Sequence, residues 1–162
     1  MISPPDAHAR RVIAVADESG TRSVAGVVAG LARVRDVIAL RGALGAGKTA
    51  FARGFIAAHG VVSEVPSPTF TLVQLYEAQD AVIYHFDLYR LERPEDTFEL
   101  GIEEAFTEGI SLIEWPDRLG PYLPRERLDI TLAAGASETE RSIELEGTGT
   151  WADRLNEASF DG

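Results

Sequence analysis

The first sixty residues alternate between short apolar runs and longer segments whose apolar positions recur every three or four residues. Short apolar runs are typical of strands, and the three-to-four spacing is typical of amphipathic helices. Ser19 and Thr21 are both suitable N-caps for the first helical segment. The pattern predicts a strand over Arg11–Asp17, a helix over 22–34, a strand over Asp36–Leu40, and a helix that follows Thr49 and stops at Gly60.

The rest of the chain adds two hairpins, further helical segments and one more buried strand. The run Ser67–Glu77 opens with a proline-containing turn and continues as a strand, and Ala81–Arg90 is its predicted hairpin partner. The pattern further predicts a helix over 93–106 that Gly101 interrupts, a buried strand over Gly109–Trp115, a C-terminal hairpin formed by 128–134 and 141–147, and a short helix near 151–158. The chain is therefore expected to form an α/β fold with a mixed parallel and antiparallel sheet.

The most specific motif follows the strand predicted at Asp36–Leu40. Residues 42–49 fit the phosphate-loop pattern G-x-x-x-x-G-K-[ST] at every position. Glycines allow successive backbone N–H groups to turn towards phosphates, and the positive N-terminal end of the next helix adds to the attraction. Lys48 supplies a cation for the β- and γ-phosphates, and the Thr49 hydroxyl is a Mg²⁺ ligand. The predicted nucleotide-binding residues are Gly42, Ala43, Leu44, Gly45, Ala46, Gly47, Lys48, Thr49 and Ala50.

Two carboxylates follow apolar strands and are candidates for the rest of a nucleotide–Mg²⁺ site. Asp87 comes after the run 81–86, and Glu114 comes after 109–113. A Mg²⁺-bound triphosphate requires a carboxylate at the end of a strand near the loop. Either residue can hold the metal while the other orients the attacking water, and the sequence does not assign the two roles.

The segment Ser67-Pro68-Thr69 and two histidines are weaker candidates for the site, because each also has a purely structural interpretation. Ser67-Pro68-Thr69 lies where many P-loop proteins keep a loop that senses the γ-phosphate, so Thr69 is a candidate contact to Mg²⁺ or to that phosphate. An ST-turn accounts for the same residues. His59 and His85 are expected to pack in the fold or to face solvent, because no second His or Cys is spaced to complete a metal site with them.

Composition and charge narrow the class of protein. The chain has 162 residues, no cysteine and a formal net charge of -11. We expect a flexible tail over residues 1–10 and a single domain over 11–162. No apolar run is long enough to span a membrane, the N-terminus lacks a signal core, and the absence of cysteine suits a reducing cytoplasm. The chain has 26 acidic and 15 basic residues, and Lys48 is its one lysine. Binding to nucleic-acid phosphates requires clustered lysine and arginine, so we do not expect this acidic surface to bind nucleic acid unaided.

Five segments, taken together and in this order, carry a resemblance to one protein family. They are GALGAGKTAFARGF, SPTFTLVQLYE, HFDLYRL, ELGIEEAF and LIEWPDRLG. Together they closely resemble the bacterial TsaE family, also called YjeE, over residues 36–120. The family often has a second threonine after GKT, where this chain has Ala50; because Thr49 is the metal-binding hydroxyl of the motif, we expect little consequence.

The resemblance implies a fold and a function. TsaE proteins are small P-loop ATPases, with a three-layer P-loop NTPase-like domain, required to make N6-threonylcarbamoyladenosine in tRNA. The resemblance implies that this chain binds ATP and Mg²⁺, acts with a TsaD–TsaB complex and meets tRNA only indirectly. By position it implies that Lys48, Asp87 and Glu114 are catalytic, that Thr49, Asp87 and Glu114 hold the metal, that Thr69 lies in a switch loop, and that Trp115 contacts the partner.

Proteins of two other functional classes also contain a phosphate loop, so both remain alternatives. A small-molecule kinase has the same motif, but an arginine-rich lid segment is not evident in this sequence. A non-catalytic nucleotide switch is separated from a slow ATPase only by measuring hydrolysis. If the chain is an ATPase we expect slow turnover alone, because no arginine stands out as a finger and a partner can complete the site.

Overall fold

A seven-stranded sheet forms the centre of the protein. The structure, a computed structural model, describes residues 7–61 and 71–160. The strands are β1 His8–Val15, β2 Val37–Arg41, β3 Val73–Glu77, β4 Val82–Asp87, β5 Ile110–Glu114, β6 Leu128–Ala134 and β7 Arg141–Thr148. The α-helices are α1 Glu18–Leu31, α2 Lys48–Ala58, α3 Ile102–Glu108 and α4 Thr150–Glu157. Two 3₁₀ segments complete the described chain, Pro94–Leu100 and Pro116–Tyr122.

The sheet is parallel at its centre and antiparallel at both edges. Its strand order is β1-β7-β6-β2-β5-β4-β3. β2 pairs in parallel with β5 and β6, and β4 pairs in parallel with β5. The hairpins β3–β4 and β6–β7 and the pair β1–β7 are antiparallel. The predicted mixed α/β sheet is therefore confirmed.

Apolar side chains cover both faces of the sheet and give three layers. The four residues Val37–Leu40 of β2 are all buried, as expected for a central parallel strand. On one face the core includes side chains of α1, α2 and α4, among them Val28, Phe51 and Trp151. On the other face α3 and the 3₁₀ segments contribute Ile102, Ala105 and Leu119. No helix in the described ranges is long and apolar enough to cross a membrane.

Most predicted boundaries differ from the structure by one to four residues, and two of the differences lie near the N-terminus. β1 begins at His8 rather than at Arg11, so His8, Ala9 and Arg10 pair with β7. The N-cap of α1 is Asp17, and the prediction of Ser19 or Thr21 is wrong. The Asp17 carboxylate accepts a hydrogen bond from the Gly20 N–H at 3.1 Å, while its backbone is still extended. An acidic N-cap also interacts favourably with the helix dipole.

The segment 93–106 is helical, as expected, but it consists of two different helices. Pro94–Leu100 is a 3₁₀ segment, and α3 begins at Ile102. Gly101 lies between them with φ of 82°, which explains the interruption predicted there. Both helices pack on the sheet face away from α1 and α2.

Helices α1 and α2 lie so close together that only glycine fits at position 54. A Cβ added to Gly54 would lie 2.9 Å from the Arg22 Cα and 3.1 Å from the Ala25 Cβ. The nearest atom belongs to the backbone of α1, so rotation of a side chain cannot relieve the clash. This contact sets the distance of α2 from α1, and the phosphate loop leads directly into α2.

We predict that Gly54→Ala destabilises the protein although alanine is the better helix former. The gain in helix propensity is about 1 kcal/mol, whereas overpacking costs about 1–3 kcal/mol, so we expect a net loss of stability of about 1 kcal/mol, the middle of the resulting range. Gly26→Ala in α1 is the matched control, because a Cβ there meets nothing within 4 Å. Urea unfolding should show the control at or above wild-type stability. Equal stabilisation by both substitutions would contradict this account of the helix contact.

Candidate functional site

The phosphate-loop motif forms the connection between β2 and α2. Gly42, Gly45 and Gly47 all have positive φ, at 141°, 82° and 110°. At Gly42 the restriction is also steric, because a Cβ would lie 2.5 Å from the Leu132 carbonyl oxygen of β6. The helix begins at Lys48, and the Phe51 N–H donates to the Gly47 carbonyl at 2.9 Å. The loop therefore has the strand-to-helix setting that the motif requires.

Lys48 is a buried cation with two contacts inside the site. Its side chain is only 5% exposed. The Nζ donates to the Gly42 carbonyl at 2.5 Å and lies 4.0 Å from the centre of the Trp115 ring. The ring face attracts the ammonium electrostatically. The ammonium of Lys48 is thus held between the backbone of the phosphate loop and the indole of Trp115.

Burial lowers the pKa of the Lys48 ammonium below the ordinary lysine value of 10.5, and the negative charges of Glu114 and Asp87 oppose that effect. Removal from water disfavours the charged form, and nearby anions favour it. A lysine with this balance gains from a further anion. The electrostatics of the site therefore favour a phosphate-bearing ligand.

The two predicted carboxylates lie side by side at the ends of neighbouring strands. Asp87 ends β4 and Glu114 ends β5, and parallel pairing places their Cα atoms opposite each other. Both are buried, with 6% and 3% exposure. The Asp87 Oδ1 accepts a hydrogen bond from the Tyr89 N–H at 3.1 Å, and the Leu88 N–H donates to the Glu114 carbonyl. The turn after β4 thus fixes the Asp87 carboxylate and the backbone of Glu114 at this edge of the sheet.

His85 packs inside the fold, as one of the two expected alternatives has it, and it also contacts one of these carboxylates. It is completely buried, and its Nε2 lies 2.7 Å from the Glu114 Oε2. Alternation along β4 places His85 and Asp87 on the same face of the strand. The pattern H-x-D at the end of an apolar strand is the sequence signal for this shared face, but it does not indicate the contact with Glu114. His59 does pack as expected, with its ring centre 4.9 Å from that of Phe55.

Trp115 follows β5 with an unusual backbone conformation. Its φ of 59° and ψ of 53° lie in the left-handed region, which bulky residues rarely adopt. The ring packs against Tyr89, with ring centres 4.9 Å apart, in addition to its contact with Lys48. The turn is what brings the indole from the end of β5 back over the phosphate loop. Strained residues of this kind are concentrated at functional sites.

Two clefts flank the loop. The first, of about 240 Å³, is lined by Leu44, Gly45, Gly47, Lys48, Thr49, Asp87, Glu114 and Trp115. The second, of about 290 Å³, is lined by Glu18, Thr21, Gly45, Gly47, Ala50, Glu138, Thr139 and Arg141. The two share Gly45 and Gly47, so a ligand lying across the loop reaches both. Sequence reasoning missed the second cleft, because its walls come from α1 and from the β6–β7 turn.

The structure therefore brings most of the predicted site residues to one place. Lys48, Thr49, Asp87, Glu114 and Trp115 line the first cleft, and Ala50 lines the second. Gly42 forms part of a smaller neighbouring cleft, Ala46 is buried beneath the loop, and Ala43 is exposed at its tip. Thr69 and the rest of the segment 62–70 lie outside the described residues.

The first cleft has the donors that Mg²⁺ prefers. Within the residues described, no group of three His, Asp or Glu side chains is arranged to hold a metal ion by itself. Magnesium is usually bound through one or two carboxylates together with substrate phosphates and water. The Thr49 hydroxyl and the carboxylates of Asp87 and Glu114 fit that role when a phosphate ligand supplies the remaining oxygens.

We predict that Lys48 titrates below 10.5 in the folded protein without ligand. As Lys48 is the one lysine in the chain, protein labelled with ¹³C at lysine Cε gives a single lysine signal to follow by NMR. Between the lowered pKa and 10.5 the unfolded state binds more protons, so the contribution of Lys48 to stability increases as the pH rises through this window. Glu114→Gln should lower the pKa further, because it removes an anion. A midpoint at or above 10.5 would show that burial does not dominate.

Comparisons with known proteins agree with the motif and the fold. The family model "Threonylcarbamoyl adenosine biosynthesis protein TsaE" matches residues 15–143. A protein of that name from Bacillus subtilis is 38% identical over 138 residues, which is 85% of each chain. The one from Haemophilus influenzae is 43% identical over 110 residues, or 67% of this chain and 68% of its own.

A solved structure is similar over almost the entire chain. The crystal structure of Bacillus subtilis YdiB superposes with a TM-score of 0.78 at 30% sequence identity. The match covers 97% of this chain and 94% of that one. The family match, the relatives and the shared fold extend well beyond the phosphate loop, and the chain therefore belongs to the TsaE family of tRNA threonylcarbamoyladenosine biosynthesis proteins.

Proposed function

We propose that this protein is a Mg²⁺-dependent ATPase that acts as an accessory subunit with a TsaD–TsaB complex, in the cytoplasm, during threonylcarbamoyladenosine formation in tRNA. The observation that carries the proposal is the convergence of Lys48, Thr49, Asp87 and Glu114 on one cleft. These four side chains come from three elements, α2, β4 and β5. They are the cation, hydroxyl and carboxylates that a bound nucleoside triphosphate and Mg²⁺ require.

The two clefts accommodate different ends of the nucleotide. In a phosphate loop the lysine reaches the β- and γ-phosphates, so the terminal phosphate lies in the first cleft, beside Asp87 and Glu114. The α-phosphate then faces the first turn of α2 near Ala50. The nucleoside continues into the second cleft, between Thr21 of α1 and Arg141 of β7.

The chain's own residues would promote hydrolysis by position and charge. Loop N–H groups and Lys48 stabilise negative charge on the γ-phosphoryl group as it is transferred from ADP to water. Thr49 and at least one of the two carboxylates would hold Mg²⁺, which neutralises charge on the phosphates when bound. The other carboxylate orients the attacking water. The burial of these groups strengthens each electrostatic interaction.

Partner dependence follows from what the first cleft lacks. Within the described residues, no arginine lines it. Arg41 is near, in the adjoining cleft, but its guanidinium binds Asp117 at 2.6 Å and Asp129 at 3.1 Å. An arginine that enters the site accelerates phosphoryl transfer greatly in related chemistry. We infer that hydrolysis is slow for the isolated chain and rises when the partner docks beside Trp115.

The acidic surface is consistent with indirect contact to tRNA. A net charge of -11 opposes binding to phosphates and favours a basic protein surface. The partner complex would hold the tRNA, and this chain would supply the ATP-driven step.

We predict that steady-state ATP hydrolysis is low for the chain alone, increases on addition of purified TsaD–TsaB complex, and is lost in Lys48→Ala. Loss of one group that stabilises transition-state charge typically costs about 100–1,000-fold in kcat. Arg125→Ala, an exposed arginine at the opposite end of the sheet, is the matched control and should keep wild-type activity.

Other outcomes of the same assay lead to other functions. Wild-type hydrolysis by Lys48→Ala would disprove the site assignment. Transfer of phosphate to an added small molecule would indicate a kinase. Binding of ATP with no turnover under either condition, including a single-turnover test, would indicate a nucleotide switch.

We predict that Ala50→Leu weakens ATP binding but not the binding of inorganic tripolyphosphate. The larger side chain would fill the entrance of the second cleft and leave the loop N–H groups in place. We expect at least a 10-fold increase in Kd for ATP, about 1.4 kcal/mol, measured by calorimetry with and without Mg²⁺. Ala57→Leu is exposed on the same helix and should bind both ligands normally. Equal weakening of ATP and tripolyphosphate by Ala50→Leu would show that the nucleoside does not lie in the second cleft.

A further inference from the structure

His85 is a completely buried titratable side chain beside the carboxylates of the site. It projects from β4 with 0% exposure. Its Nε2 makes a 2.7 Å hydrogen bond to the Glu114 Oε2, and its Nδ1 has no hydrogen-bond partner in the part of the chain that the structure describes. The imidazole therefore makes a single polar contact there, and that contact is to a residue of the first cleft.

The geometry of this contact selects one tautomer of His85. A carboxylate in its ionised form can only accept hydrogen bonds, so the matching tautomer carries its proton on Nε2 and donates to Glu114. Charge-assisted bonds of this kind are stronger than neutral ones. A buried imidazole with one unpaired nitrogen is otherwise unfavourable, because desolvation of that nitrogen is not compensated. The bond to Glu114 is therefore the interaction that compensates for placing His85 here.

The sheet holds this imidazole rigidly. Strand alternation places His85 on the same face as Ile83, and the neighbouring strand contributes Leu112 to the same core. Phe51 and Phe55 of α2 belong to that core as well. A completely buried ring on a strand that is paired on both sides has little freedom to rotate, so the direction of its N–H is fixed by the fold.

From this geometry we infer that His85 is a positioning residue that holds the Glu114 carboxylate in one orientation towards the first cleft. With Oε2 bonded to the imidazole, Oε1 is the oxygen that Glu114 presents to a metal ion or to the attacking water beside the terminal phosphate. Asp87, whose carboxylate is oriented separately by the Tyr89 N–H, keeps a different set of contacts. The inference rests on the proposed function for its effect on hydrolysis, but the hydrogen bond itself is testable without nucleotide.

The hydrogen bond is tested by NMR of histidine labelled with ¹⁵N. The chain has three histidines, so the spectrum can be assigned with His8→Gln and His59→Gln. We expect His85 as the Nε2–H tautomer, with a downfield, slowly exchanging proton signal. In Glu114→Gln the signal should move upfield because the acceptor is neutral, and in Glu114→Ala the protection should be lost. An His85 signal that neither substitution changes would overturn the proposal, whatever the protein's activity.

The effect on hydrolysis is tested with two amides of different reach. The longer glutamine side chain in His85→Gln can place its N–H near the original Nε2 position, whereas the shorter amide in His85→Asn ends near Nδ1 and cannot reach Glu114. Loss of such a supporting hydrogen bond typically costs about 10–100-fold. We expect that loss in kcat for His85→Asn, with KM for ATP changed less than about threefold, and recovery of most activity in His85→Gln.

The outcomes separate a positioning role from a structural one. His59→Asn is the matched control and should keep wild-type kcat. Thermal unfolding should show similar stability for His85→Asn and His85→Gln, since both leave a polar amide in the core. Equal kcat for these two variants, or a loss that appears entirely in KM, would overturn the positioning role. If the wild-type chain hydrolyses no ATP either alone or with the TsaD–TsaB complex, the proposed function fails, while the NMR result still decides whether His85 orients Glu114.

Discussion

Parallel pairing of β2, β5 and β4 places three chain segments at one edge of the sheet, and the site depends on that register. Leu40 pairs with Glu114, and Glu114 pairs with Asp87. The phosphate loop begins just after Leu40, so the loop and both carboxylates leave the sheet at the same height. A slip of one residue in β4 or β5 would turn a carboxylate to the opposite face. Close packing on both faces opposes such a slip, because each side chain would meet neighbours of a different size and shape.

The ammonium of Lys48 is the main electrostatic consequence of this arrangement. Burial lowers the pKa of the ammonium, and the negative charges of Glu114 and Asp87 offset only part of that effect. The Gly42 carbonyl and the Trp115 ring hold the ammonium in place between them. A bound polyphosphate would supply further negative charge next to the ammonium. The site is thus arranged to favour such a ligand.

The fold and much of the site could be predicted because their signals are local. The phosphate loop is a contiguous motif, and the strand ends are recognisable as an apolar run followed by a carboxylate. Alternation could also have related His85 to Asp87. Its contact with Glu114 could not be predicted in that way, because it requires the register of β4 against β5. The Asp17 cap was missed for a simpler reason, since Ser and Thr nearby are equally good caps.

The second cleft and the position of Trp115 depend on contacts distant in sequence. Thr21 and Arg141 are 120 residues apart in sequence, and they line the same cleft only because β7 pairs between β1 and β6 in the folded sheet. The indole reaches Lys48 only because Trp115 adopts a left-handed conformation, for which no nearby glycine or asparagine gives a sequence signal. Periodicity describes which face of an element is buried, but it does not describe how an irregular turn directs one side chain.

The packing of α2 connects the stability of the fold with the geometry of the site. The same helix contributes Lys48 and Thr49 at its first turn, Phe51 and Phe55 to the core on that face of the sheet, and Gly54 to the contact with α1. A shift of α2 away from α1 would therefore move the cation and the hydroxyl relative to the carboxylates, which are fixed on the sheet. Geometry in such sites must hold within about 0.5 Å. Substitutions in the α1–α2 contact should consequently affect chemistry as well as stability, although they touch none of the side chains that line the first cleft.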